Sequence, residues 1–223
     1  MKTTFLILAV VLTSGVLMSC DSNEPIVVSE EEQITEEVTL ASVSVETTLS
    51  EVCVLPVTDS LSETDRSGLL LMREEEKLAG DVYRFFYSLF KYPVFNNISR
   101  SETAHSNAVL YLLKSYNITD PSTGVEGTFS NPEIQELYTS LTTKGSADIV
   151  EALKIGAFIE EYDIKDLKHE IAATDNSAII RVYSNLLRGS GFHLKAFTRL
   201  LKFKGVIYTP QILSQEEYDA IVK

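Results

Sequence analysis

Residues 96–113 read NNISRSETAHSNAVLYLL. In the second half of this stretch, Val109, Leu112 and Leu113 recur at the spacing of one face of an α-helix. Followed back, that face passes through His105 and Glu102, the acid and imidazole of SETAH (101–105). Two polar groups one turn apart on an apolar face pose a question about the rest of the chain. If other helices send similar groups to the same place, the fold is a bundle around a polar centre. If none does, Glu102 merely favours the positive end of a helix dipole, and His105 is a satisfied core histidine.

Outward from this stretch the periodicity predicts helices on both sides. Leu69, Met72, Ala79, Tyr83, Phe86 and Phe90 mark one face of a first helix over about 64–91, which Tyr92-Pro93 ends. The SETAH helix is expected over about 98–116. A loop with Pro121, Gly124 and Gly127 leads to a short helix that Asn131-Pro132 starts. Ser146 reads as the N-cap of a third long helix to about residue 170, with Leu153, Ala157, Glu160, Ile164 and Leu167 on its stripe. A fourth covers about 176–203, its inner face Ile179, Tyr183, Leu186, His193 and Phe197, with Gly205 just past its end. LSQEEYDAIVK closes the chain as a small helix. Four long helices make an all-α antiparallel four-helix bundle the expected fold, with a long second-to-third connection that carries the short helix.

The N-terminus is expected to lie outside this fold. Lys2 followed by FLILAVVLTSGVL is a positive start and an apolar run too short for a comfortable span, the pattern of an export signal over residues 1–19. LMSC, ending at Cys20, resembles a bacterial lipobox, which implies cleavage before Cys20 and lipid on its sulfur; the other reading is an ordinary signal cut nearby. Residues 20–60 are acidic, Ser/Thr-rich and free of glycine, and read as a flexible tether. The domain is then 61–223, lipid-anchored to a membrane at a periplasmic or cell-surface face. With Cys20 lipidated, Cys53 is the remaining cysteine, so no intramolecular disulfide framework is available. A net charge of −13 argues against nucleic acid as a partner and is compatible with metal cations.

Several residues interrupt the buried stripes. Glu76 falls on the inner face of the first helix, whereas Glu74 and Glu75 are expected to point elsewhere. Glu160 interrupts the third stripe, with Asp163 one turn on; His193 interrupts the fourth, with Ser190 one turn earlier. Each has a plain alternative. REEEKLAGD (73–81) resembles a solvated charge run, and Glu160 has Lys154 and Lys165 as candidate partners. A bare carboxylate in a bundle core costs several kcal/mol unless paired or metal-bound. Acids from three helices and two histidines at such positions call for a common partner, and a divalent metal satisfies all of them. Carboxylate and imidazole without thiolate suit iron or manganese, one ion or two.

REEEKLAGDVY, NNISRSETAHSNAVLYLL, IGAFIEEYDIKDL and GSGFHLKAF, in this order, resemble the domain-of-unknown-function 2202 family, and Glu76-x-x-Ala79-x-x-x-Tyr83 with Glu102-x-x-His105 resembles the ferritin-like superfamily. The resemblance spans about residues 66–213. It implies a ferritin-like bundle with a di-metal site held by Glu76, Glu102, His105, Glu160 and His193. It also implies a departure: the pattern asks for a second Glu-x-x-His, and this chain has Ser190-x-x-His193. Asp163 reads as a residue behind the ligands or a solvated one, at a helix position only adjacent to the one that would fill that gap, and Gly189 and Gly191 around Ser190 suit a close helix approach, a local bulge or a plain kink. The expected function is a metal-dependent redox protein acting on oxygen or peroxide, with Tyr83 tuning the site or passing an electron. The alternative is a non-catalytic binding or structural bundle with an incomplete metal site.

Overall fold

The computed structural model describes residues 60–223. The export signal, Cys20, Cys53 and all of the tether except Ser60 lie outside the described residues. Among the described residues the regular structure is six α-helices. They are α1 (Glu63–Phe90), α2 (Pro93–Ser115), α3 (Pro132–Gly145), α4 (Ile149–Ala173), α5 (Ser177–Phe203) and α6 (Gln215–Val222). None of these helices is long and apolar enough to cross a membrane.

Local chemistry fixes the helix ends. Ser62 and Asp65 form a capping box at the start of α1, and Ser214 and Glu217 do so for α6. Asn131, Asp148 and Asn176 cap α3, α4 and α5 through side-chain oxygens. Two details differ from the sequence reading. The SETAH helix begins at Pro93, not near residue 98, because proline suits a first turn and Lys91 takes the left-handed backbone (φ 54°) that reverses the chain. Ser146 closes α3, and Asp148 starts α4 by accepting from the amides of Val150 and Glu151. Gly205 (φ 76°) follows α5 as expected.

The long helices pack pairwise, α1 along α2 and α4 along α5, and the two pairs meet through α1–α4 and α2–α5 contacts. Two apolar clusters fill the interior. One contains Tyr83, Phe86, Phe95 and Phe197, whose ring centroids are 5.3–6.2 Å apart where they touch. The other contains Leu69, Met72, Val109, Leu112, Leu167, Tyr183 and Leu186. At Gly156 an added Cβ would meet Phe197 at 2.6 Å, so the absence of a side chain there lets the ring pack against α4. No bulge interrupts α5 at Ser190, and Gly191 faces Ile221 of α6 at an ordinary contact distance.

The charge run on α1 is not a solvated face. Arg73, Glu74, Glu75, Glu76 and Asp81 are all buried. Arg73 makes a two-pronged ion pair with Asp120, at 3.0 Å to each oxygen. Glu74 accepts from the amides of Ser130 and Asn131, and Asp81 from that of Gly127. These contacts hold the α2–α3 loop against α1.

Candidate metal centre

Between the two apolar clusters lies a polar layer. Glu76 of α1, Glu102 and His105 of α2, Glu160 of α4 and His193 of α5 are each at most 2% exposed. Their oxygen and nitrogen atoms form two triads, Glu76–Glu102–His105 and Glu102–Glu160–His193, with the atoms of each within 4.8 Å of one another. Glu102 belongs to both. Its Oε2 is 2.8 Å from His105 Nδ1 and its Oε1 is 2.9 Å from His193 Nδ1. Glu76 Oε2 lies 3.2 Å from His105 Nδ1, and Glu160 Oε2 lies 3.4 Å from His193 Nδ1. The imidazoles stack with centroids 5.6 Å apart. Helix spacing accounts for this: Glu102 and His105 are one turn apart on α2, so one face delivers both.

Other side chains hold these groups from behind. Ser101 Oγ is 3.1 Å from His193 Nε2, leaving Nδ1 to face the acids. The Tyr83 hydroxyl donates to Glu160 Oε1 at 2.5 Å. The Ser190 hydroxyl donates to Asp163 Oδ2 at 2.5 Å, so Asp163 occupies the side of the layer where Ser190 falls short. Glu160 makes no pair with a lysine; Lys154 bonds Glu151 instead.

The electrostatics show how tightly these groups are coupled. Burial opposes ionisation of Glu102, yet His193 and His105 outweigh it and hold its carboxyl well below the usual range. Burial lowers both imidazoles, but Glu76 and Glu102 raise His105 well above its ordinary value, and Glu102 and Glu160 raise His193 to about 9. Burial pushes Glu76 and Glu160 up to about 7, with His105 and His193 respectively pulling the other way. Burial and Glu76 raise Asp163 well above the carboxylate range.

Glu76 Oε1, His105 Nε2 and Asp163 Oδ1 have no hydrogen-bond partner, while Glu102 Oε1 and His193 Nδ1 meet only each other as the ion pair above. Such orphans are costly in a protein interior. Carboxylate oxygens and imidazole nitrogens are donors of the kind a hard or borderline divalent cation accepts, and within each triad they converge. Each triad is therefore a residue set that could hold a divalent metal ion.

A cavity of about 280 Å³ reaches this layer between α1 and α2. Its lining runs from buried Glu76 and Glu102, past Gly80, Thr103 and Ser106, to exposed Gly124 and Glu126.

Residues 65–223 match the family model described as "Uncharacterized protein domain (DUF2202)". The chain belongs to the DUF2202 family. This DUF2202 chain is similar to "Uncharacterized protein MJ0754" of Methanocaldococcus jannaschii, with 50% identity over 163 residues, 73% of this chain and 88% of the relative. It is also similar to the crystal structure of hypothetical protein MJ0754, with a TM-score of 0.74 at 50% identity, over 75% of this chain and 96% of the solved one.

In the DUF2202 chain some buried polar residues escape sequence reading. Ser101, 0% exposed, lies four residues before His105 and so on the same face, but a lone serine there gives no sign of its partner His193. Glu161, 0% exposed, accepts from Tyr208 Oη and from the amides of Gln211, Ile212 and Leu213, some fifty residues away. Glu75 is 5% exposed, and neither of its oxygens has a partner.

Proposed function

We propose that this DUF2202 chain is a ferritin-like metal protein, tethered to a bacterial membrane through lipid on Cys20, in which iron or manganese supports redox chemistry on dioxygen or peroxide. The observation that carries this reading is Glu102, whose two oxygens face different triads as a bridging carboxylate would. A second supporting feature is the cavity of about 280 Å³ whose lining includes both Glu76 and Glu102 and the exposed Gly124 and Glu126.

Glu76, Glu102 and His105 would hold one ion, and Glu102, Glu160 and His193 the other. When bound, the metals would supply one-electron redox steps and open coordination positions. The chain's own residues set the conditions. Ser101 orients His193, and Tyr83 fixes Glu160 through its hydroxyl and lies within reach of that ligand for proton or electron exchange. Phe95 and Phe197 pack against Tyr83 and keep water from that side. Ser190 in place of a glutamate favours a second reading, a bundle with an incomplete site serving as a binding or structural domain.

Metal analysis of the protein purified without chelator separates the two. The redox reading expects about two equivalents of iron or manganese, lost in His105→Ala together with a lower melting temperature. Less than about a tenth of an equivalent, with melting unchanged in His105→Ala, would overturn it.

A further inference from the structure

The two triads share Glu102 but are held differently. Glu160 and His193 are each braced from behind: the Tyr83 hydroxyl donates to Glu160 Oε1, and Ser101 Oγ stands 3.1 Å from His193 Nε2. Tyr83 is itself fully buried and packed by Phe95 and Phe197. In the other triad Glu76 Oε1 and His105 Nε2 have no hydrogen-bond partner, so neither side chain has a support of that kind. The cavity between α1 and α2 repeats the division. Glu76 and Glu102 are among its lining residues; Glu160 and His193 are not. Its wall beside Glu102 is the bare backbone of Gly80, where an added Cβ would meet Glu102 Cβ at 3.4 Å and Arg84 Nη1 at 3.3 Å. The cations along it do not bar a metal ion, because each is answered by an acid: Arg73 by Asp120, Lys77 by Asp81, and Arg84 by Asp81 and Glu126.

We infer that the triads are unequal: Glu102, Glu160 and His193 keep a permanent ion, whereas Glu76, Glu102 and His105 hold an exchangeable one that enters and leaves through the cavity. Ser101 is the positioning residue behind this difference. When its hydroxyl accepts from the Nε2–H of His193, Nδ1 is left with the lone pair, aimed at Glu102 and Glu160. His105 has no partner at Nε2 to fix its tautomer in the same way. A ligand whose tautomer and ring orientation are set in advance holds an ion more tightly. An ion arriving by the cavity meets Glu102, whose Oε2 faces His105 and whose Oε1 faces His193, so the shared carboxylate can hand it across to the inner triad. This assignment rests on the metal-binding reading of the centre and adds which ion stays and which exchanges.

The test loads the chelator-stripped protein with Co²⁺, whose visible absorption reports ligation, and follows the loss of that signal to excess EDTA. A fast and a slow phase of equal amplitude are expected. Glu76→Gln should abolish the fast phase and spare the slow one, and Glu160→Gln should do the reverse. Ser101→Ala should speed the slow phase by about 10–100-fold without changing the fast one, and Ser101→Thr, which keeps the hydroxyl, should restore it. Gly80→Leu, which adds a side chain to the cavity wall, should slow the fast phase alone. Ser101→Ala and Gly80→Leu alter no ligand and carry the test should either glutamate variant fold poorly. Ions all released at one rate, or a slow phase indifferent to Ser101→Ala, overturn the inference and leave the centre standing. Protein that takes up no Co²⁺ overturns the metal reading itself, and the inference with it.

Discussion

The hydroxyl of Ser190 on α5 donates to Oδ2 of Asp163 on α4, across the seam where a second Glu-x-x-His would have placed a glutamate. Asp163 Oδ1 is buried and unpartnered. On the proposed reading, Asp163 would stand in for that carboxylate from the neighbouring helix, with Ser190 holding it in place. Asp163→Asn is therefore expected to weaken one of the two centre ions by about 10–100-fold and to spare the other. Metal titration against a competing chelator reads this directly; equal affinities in the variant and the parent would make Asp163 a bystander.

Metal loading should also release protons. In the metal-free protein His193 is raised to about 9 and His105 well above its ordinary value, so both imidazoles are charged at neutral pH. Ligation needs them neutral, and Glu76 and Glu160, each raised to about 7, give up a further fraction. Roughly two protons or more per loaded centre are expected at neutral pH, with affinity falling as pH falls. Calorimetric titration in two buffers of different ionisation enthalpy measures the number. Loading without proton release would mean that the ion binds elsewhere.

Glu75 yields a stability prediction with the opposite sign to most acids. Burial, then Asp166, raise its carboxyl from 4.5 to about 8. Between those values the folded state holds more protons than the unfolded state, so stability falls as pH rises through the interval. In chelator, Glu75→Gln should lessen this slope, the remainder coming from the raised acids and histidines of the centre, and be the more stable form near pH 8 by a few kcal/mol. Denaturant unfolding at about pH 5 and at about pH 8 supplies the comparison; parallel losses in parent and variant would sink it.

How far these features can be read in the sequence depends on whether the deciding contact is local. The helices, their apolar stripes and the convergence of Glu76, Glu102, His105, Glu160 and His193 follow from periodicity, because each residue's own helix fixes its direction. Glu74 and Glu75 broke that reading: helix α1 is covered on a second side by the α2–α3 loop and by α4, and periodicity in one helix cannot show a neighbour it has not met. The starts of α2 and α4 were misplaced because Tyr92-Pro93 and Ser146 each fit two roles, a stop and a start. Tertiary packing decides between those roles.

The last case is Glu161, which Glu160 overshadows in sequence because only the latter continues the stripe. It is 0% exposed, and its carboxylate gathers Tyr208 Oη at 2.6 Å with the amides of Gln211, Ile212 and Leu213 at 2.9–3.1 Å. That network fastens the segment after α5 to α4 and sets the position from which α6 starts. Truncation would strand three backbone donors in a poorly hydrated place, at about 1–3 kcal/mol each where water does not reach them. Glu161→Ala is therefore expected to destabilise the protein by about 3 kcal/mol or more. The same variant should speed amide exchange at residues 211–213 well before it affects α1 or α2. Because Glu161 touches none of the centre's ligands, metal stoichiometry should hold in the folded fraction. A variant that lost metal while keeping slow exchange at 211–213 would show that Glu161 serves the centre, and that the adjacent acids Glu160 and Glu161 share one task rather than two.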